Sequence, residues 1–232
     1  MANSIQFRNN NRPALAPRRR LRRGAGRPAG AAAEQVRERI LEVASKEFAR
    51  SGLGGARVDR IAEQAGVNVR MLYYYYGSKD DLFLAVLERA YAAIREAEQG
   101  LELDQLDPVE AVRRLVRFTW GFQLEHPEFI TLLNSENLHK GRHLAQSKLV
   151  AGLHSRLLEL IGRLLERGAT SGDFRRGVDP MQLYITIAGL GYFYLSNRHT
   201  LSAIFGRDLM APRYREARMN HMTEVVLGYL KP

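Results

Sequence analysis

The chain contains no cysteine. Disulfides, iron–sulfur clusters and thiolate zinc sites are therefore excluded, and a reducing compartment is the natural home. No apolar stretch approaches the roughly 18–20 residues needed to span a bilayer. The N-terminus has no apolar run like the core of a secretory signal. A soluble, cytoplasmic protein is expected. The sequence also shows no convincing alternating strand and no internal repeat. No Gly-x-Ser-x-Gly motif, Walker loop or dinucleotide fingerprint is present, so neither a catalytic residue nor a cofactor is expected. Residues 1–33 contain no acidic residue at all.

That last absence locates the charge. Residues 1–33 hold Arg8, Arg12, Arg18, Arg19, Arg20, Arg22, Arg23 and Arg27. The whole chain of 232 residues carries +10, which leaves +2 for residues 34–232. The basic signal is a tail on a nearly balanced body. Such a tail buries too little apolar surface to offset its ordering entropy and is expected to be disordered when free. A nucleic-acid arm, a solvated tail and an organelle transit peptide all fit its composition. At 45% hydrophobic residues, the body has material for a substantial core.

From Glu34 onward the apolar period is helical. Val36, Ile40, Val43, Ala44 and Phe48 make one stripe of a helix over 34–51, with Glu38, Arg39, Glu42 and Lys46 toward water. Gly52, Gly54 and Gly55 end it. Short helices follow over 58–65 and 68–75, separated by a turn at Gly66. Ser78 is placed to cap a long helix through 98. A composition change over 100–108 marks a domain junction. The domains expected are an arm (1–33), a first domain (34–82) and a second that includes the rest of the long helix (83–232). Further helices are expected over 108–125, 128–138, 143–168, 180–198 and 213–230. In the last two, Tyr184, Ile187, Ala188, Gly191 and Leu195 form one stripe, Tyr192 and Phe193 widen it, and Met219, Met222, Val226 and Tyr229 line the other helix. A helix apolar on so wide an arc needs two packing surfaces, and a homodimer supplies the second.

The informative segment is 58–73. Two short helices joined by a tight turn need small residues where they cross, supplied by Ala62 and Ala65, and a residue tolerant of positive φ, supplied by Gly66. Ile61, Val67 and Leu72 are spaced to form the core beneath them. Asn68, Val69, Arg70 and Met71, at the front of the second helix, are then left to meet base edges in a major groove.

The continuation, Leu72-Tyr73-Tyr74-Tyr75-Tyr76-Gly77-Ser78-Lys79-Asp80-Asp81-Leu82, resembles the signature of the TetR repressor family. Residues 34–82 resemble that family's three-helix DNA-binding domain and the start of its fourth helix. The resemblance implies an all-α fold with a C-terminal helical regulatory and dimerisation domain. It also implies a ligand-responsive repressor that acts as a homodimer on a palindromic double-stranded DNA operator, not an enzyme. Tyr73 and Lys79 should hold the phosphate backbone, with Tyr75 adding to them. Since a helix cannot aim four successive side chains one way, Tyr76 and one other tyrosine are expected to pack inward.

Two positions depart from the family pattern. Ala56-Arg57-Val58 stand where a capping Thr or Ser is common; Arg57 could replace the phosphate contact but cannot cap. Arg70-Met71 stand where Gly-Thr is common, and Arg70 could contact guanine or only phosphate.

For an effector, the 108–125 helix presents Val112, Val116, Thr119, Trp120 and Gln123 on one broad face. Phe129, Leu133 and Asn137 come from the next helix and Tyr184, Ala188 and Tyr192 from 180–198. Mostly apolar residues with a few polar groups suit a small-molecule pocket, and equally suit a plain core. Glu136, His139 and His143, with His126 and His154 nearby, are the best metal-like constellation. Gly141 interrupts it and Lys140 and Arg142 oppose a cation, so no metal is expected. A nonspecific architectural DNA protein would not need the helical bulk behind the DNA reader.

Overall fold

The computed structural model describes residues 30–232. The eight arginines of the basic segment lie outside the described residues, and so does the expectation about its order. Among the described residues every regular element is helical: α1 (Gly30–Gly55), α2 (Val58–Gln64), α3 (Val69–Tyr76), α4 (Lys79–Gln99), α5 (Pro108–Glu125), α6 (Pro127–Leu138), α7 (Lys148–Ser171), α8 (Pro180–Ser196), α9 (Arg198–Phe205) and α10 (Pro212–Leu230). α1 begins ahead of the expected residue 34 because Ala31, Ala32 and Ala33 are strong helix formers. Its regular path breaks at Gly52, where φ is 63°.

Helices α1 to α3 form a head over the first third of α4. Ile40, Ala44 and Phe48 from α1, Ile61 and Ala62 from α2, Leu72 from α3, and Leu82, Phe83 and Val86 from α4 are all buried together. Phe48 and Phe83 meet edge-on at 5.1 Å, a favoured aromatic arrangement. Leu132 of α6 joins the same cluster, and Ser135 Oγ of α6 accepts from Leu53 N at 3.0 Å. The head therefore rests on the C-terminal helices, while α4 runs unbroken through the expected boundary at 82.

The second core is built by α5, α7, α8 and α10. Val112, Val116 and Trp120 meet Ile161, Leu164, Leu183, Ile187, Met222 and Val226. Asp107, Ser147 and Asp179 each accept a backbone N–H of the helix they precede, which offsets the unpaired amides of a first turn. α7 begins at Lys148, not 143, because residues 144–146 form a short 3-10 turn whose leading amides bond to Glu136. α9 was not anticipated. It buries no residue and leaves Ile204 and Phe205 exposed, so it has no inward stripe for periodicity to reveal.

Candidate nucleic-acid interface

The interface is built on α2 and α3. Gly66 carries φ +66° at the turn between them, a conformation costly for any residue with a Cβ. The turn is closed by Val67 N donating to Ala62 O at 2.9 Å and by Arg39 Nε reaching Ala65 O at 2.7 Å. Ile61 and Leu72 are wholly buried and Val67 is partly buried, as the spacing predicts. Each such side chain contributes about 1.5–3 kcal/mol, so the orientation of α3 is held from behind.

The front of α3 is left open. Asn68, Val69 and Arg70 are exposed and Met71 is half-buried. Asn68 caps the helix, its Oδ1 accepting from Met71 N at 2.8 Å. At the exit of the helix the four tyrosines separate. Tyr76 is buried and donates to Arg37 O at 2.8 Å. Tyr73 and Tyr74 are exposed, whereas Tyr75 is half-buried against the head core. Lys79 then opens α4, beside Ser78, whose Oγ accepts from Asp81 N at 3.0 Å and donates to Asp81 Oδ2 at 2.6 Å. This reciprocal cap fixes where α4 starts, and hence where Lys79 stands.

Arg57 precedes α2 without capping it. Its guanidinium makes a double contact with Asp59, Nη2 to Oδ2 at 2.7 Å and Nε to Oδ1 at 3.2 Å. The hydrogen bond from Arg57 holds the Asp59 carboxyl below its ordinary range.

The effector candidates fall into two groups. Val116, Thr119, Trp120 and Gln123 are buried on α5, where Thr119 Oγ1 donates to Leu115 O and Trp120 meets Tyr194 edge-on at 5.6 Å. Gln123 reaches across to α8, donating to Ala188 O at 3.3 Å and leaving its buried Oε1 without a partner. Phe129 instead packs with Tyr91, with Leu133 beside it, in a separate small cluster. Tyr184 and Tyr192 are half-buried, Tyr192 donating to Asn134 Oδ1, and Asn137 is exposed.

With this geometry established, comparison with known proteins is informative. Residues 40–86 match the family described as bacterial regulatory proteins, tetR family, and residues 108–226 match the tetracyclin repressor-like C-terminal domain. The chain is 39% identical over 199 residues to the HTH-type transcriptional repressor NicS of Pseudomonas putida, covering 86% of this chain and 94% of that protein. The chain belongs to the TetR family.

This TetR-family chain is thus a helix-turn-helix transcriptional regulator and not an enzyme, with α2 and α3 as its helix-turn-helix. It is also 25% identical over 193 residues to the regulator RutR of Escherichia coli K12, spanning 83% of this chain and 89% of that protein. A TetR-like regulator from Rhodococcus sp. RHA1 superposes with a TM-score of 0.58 at 25% identity, over 86% of this chain and 96% of the other. A second structure, FadR of Bacillus halodurans, shares the fold alone, with a TM-score of 0.63 at 17% identity over 87% and 97% of the two chains. Among the described residues, no helix is long and apolar enough to cross a membrane.

Three features of the site escaped sequence reasoning. Glu47 of α1 is buried and accepts from Arg57 N at 3.3 Å, and it pairs with Arg50 at 2.6 Å and Arg60 at 3.8 Å. It gives the Arg57 amide, just ahead of α2, an acceptor from another helix, while the side-chain cap of α2 stays absent. Tyr74 lies beside Tyr73 on the exposed side. Glu136 and His143, read in sequence as metal-like, contact each other at 2.5 Å and join the head to the regulatory helices. None of the three is marked by spacing: an acid beside Phe48 of the α1 stripe looks in sequence like any solvated one.

Proposed function

We propose that this protein is a repressor that binds a palindromic operator as a homodimer and leaves it when a small-molecule effector occupies the regulatory domain. The observation that carries the reading is the exposed front of α3 held on a buried core, with Tyr73 and Lys79 at its exit. In this reading Asn68, Val69, Arg70 and Met71 face base edges. Capping takes the Asn68 oxygen and leaves its amide group to donate. Tyr73 and Lys79 grip phosphate, and the contacts set register without reading sequence; Tyr75, half-buried against the head core, adds to that grip by its exposed edge, and Arg57 by exchanging its contact with Asp59 for phosphate. The name of the relative NicS, a transcriptional repressor, supports the negative sign of regulation, and the cytoplasm is the compartment where such an operator is met.

Dimerisation is supported by apolar side chains left in water. Met181, Ile185 and Phe193 on α8 and Val225 and Tyr229 on α10 are each at least 38% exposed, a grouping of apolar side chains on two adjacent helices that suits a protein–protein contact. Two recognition helices in successive major grooves must stand about 34–36 Å apart. An effector binding among Val116, Thr119, Trp120, Gln123, Phe129, Leu133, Asn137, Tyr184, Ala188 and Tyr192 would alter that separation through α4. A hundredfold loss of operator affinity needs about 2.7 kcal/mol of coupling.

Selecting bound fragments from genomic DNA with the purified protein, followed by footprinting, tests the reading. A short protected palindrome is expected. Uniform protection with no defined site would replace the regulator by a nonspecific architectural protein.

A further inference from the structure

The regulatory half buries a charge that the fold leaves unfinished. Arg95, near the C-terminal end of α4, is only 4% exposed, and so is Glu98 one turn later. Arg95 Nη1 and Glu98 Oε2 lie 2.7 Å apart, yet the contact lacks hydrogen-bond alignment. Arg95 Nε, Arg95 Nη1 and Glu98 Oε2 are all left without a hydrogen-bond partner. A buried guanidinium with unmet N–H groups is costly and is rarely left so without a reason. A cavity of about 50 Å³ opens against this pair, closed on the far side by Leu153, Arg156, Leu157 and Leu160 of α7. That is room for roughly three to five waters, or for a carboxylate carrying a short carbon chain. Gln99 completes the lining, and the guanidinium carbon itself lies 5.5 Å from the centre of the Tyr184 ring.

We propose that Arg95 is an effector anchor for a small organic carboxylate, and that Glu98 is an internal stand-in which the ligand's carboxylate displaces. The two oxygens of a carboxylate can accept two parallel N–H bonds from a guanidinium, and a single charge costs less to bring into a small, largely apolar cavity than the higher charge of phosphate. The apolar leucines of α7 suit the carbon chain. Burial pushes the Glu98 carboxyl up to about 7, with Arg95 opposing the shift, so Glu98 gives up its charge readily when a second carboxylate arrives. The anchor also sits where binding can be felt. Arg95 and Lys79 share α4, sixteen residues and about 24 Å apart, so a ligand that changes how α4 lies against α7 acts on the helix that carries the DNA grip.

This inference rests on the effector-responsive reading, so its test is made on the protein alone and the operator is measured apart. Thermal unfolding of the full chain is followed with sodium propionate, propionamide, sodium phosphate and sodium chloride at matched ionic strength. Propionate should stabilise in a saturable way, and the other three should not. Arg95→Gln should weaken propionate binding about tenfold or more. Glu98→Gln, which removes the competing charge, should tighten it, and this variant decides the matter if Arg95→Gln fails to fold. Equal stabilisation by propionamide or by phosphate would overturn the carboxylate assignment. No saturable effect of propionate, or unchanged or weaker binding in Glu98→Gln, would leave the pair as a structural ion pair only. A protein that binds propionate but selects no operator would refute the regulator reading and keep the site. One that releases its operator to some other compound while ignoring propionate would do the reverse.

Discussion

Replacing Glu136 with alanine tests how the DNA-binding head is tied to the regulatory helices. The Glu136 side chain is 3% exposed. Its Oε1 accepts from His143 N at 2.9 Å and from Leu144 N at 3.0 Å, while its Oε2 contacts His143 Nδ1 at 2.5 Å. The imidazole so held meets Phe83 of α4 edge-on at 5.1 Å, and its Nε2 stands 3.5 Å from Asp80 Oδ1. Alanine removes three acceptor contacts at once. A buried donor left unpaired costs about 1–3 kcal/mol; the half-buried Leu144 amide lies at the low end because water can reach it. The imidazole hydrogen bond adds about 1 kcal/mol net. Together Glu136→Ala should cost about 3–5 kcal/mol, while Glu136→Gln, which keeps a carbonyl for the two amides, should cost about 1–2 kcal/mol. Urea unfolding at fixed protomer concentration reads both. A cost below about 1 kcal/mol for alanine, or equal costs for the two variants, would refute the claim that this carboxylate assembles the joint.

Tyr73→Phe and Lys79→Ala should weaken binding to all DNA sequences alike, and Lys79→Ala should also reduce the salt slope by about 1; unchanged affinity in both folded variants would remove them from the interface. Deleting residues 1–33 should cost affinity and flatten the salt dependence while leaving the preferred sequence core intact, because eight arginines add phosphate or minor-groove contacts beside the main site. Equal binding at every salt concentration would make the segment a mere tail. Phe193→Asp places a charge in the proposed dimer face and should shift the protein to monomer in sedimentation; a dimer that persists would move the interface elsewhere. Glu98 supplies a pH signature. Its folded pKa of about 7 exceeds the ordinary value of 4.5, so its contribution to stability is full below about pH 4.5 and is lost as pH rises through 7. The groups around it are Arg95 on its own helix, Arg156 of α7 and Tyr184 of α8. Unfolding measured from pH 5 to 8 should therefore lose stability in wild type relative to Glu98→Gln, by up to about 3 kcal/mol, and parallel profiles would contradict this.

What the sequence determined by itself was local and periodic. The stripe of α1, the small residues and glycine of the α2–α3 turn, the serine cap of α4 and the run from Leu72 to Leu82 are each written within a few residues of one another, because a short helical hairpin has little choice about what crosses and what caps. The same locality made the wide apolar arc of α8 legible, with Ile187, Gly191 and Leu195 buried and Phe193 exposed. Tertiary structure decided whatever joins residues far apart in the chain. Periodicity could say that two of the four tyrosines turn inward, but whether Tyr74 or Tyr75 joins Tyr76 depends on how α3 leans on the head core. The start of α7 moved from 143 to 148 because the amides at 143 and 144 bond to Glu136, a tertiary acceptor to which local propensity is blind. Of the histidines that looked metal-like in sequence, His143 spends its bonding on the joint between the head and the C-terminal helices, while His126, His139 and His154 contact Glu128, Ser135 O and Val150 O close by in their own segments. Glu47 accepts the Arg57 amide ahead of α2 from ten residues away, and Arg95 meets α7 across a small cavity. A charge buried between helices leaves no periodic trace, since its partners are chosen by packing and not by spacing.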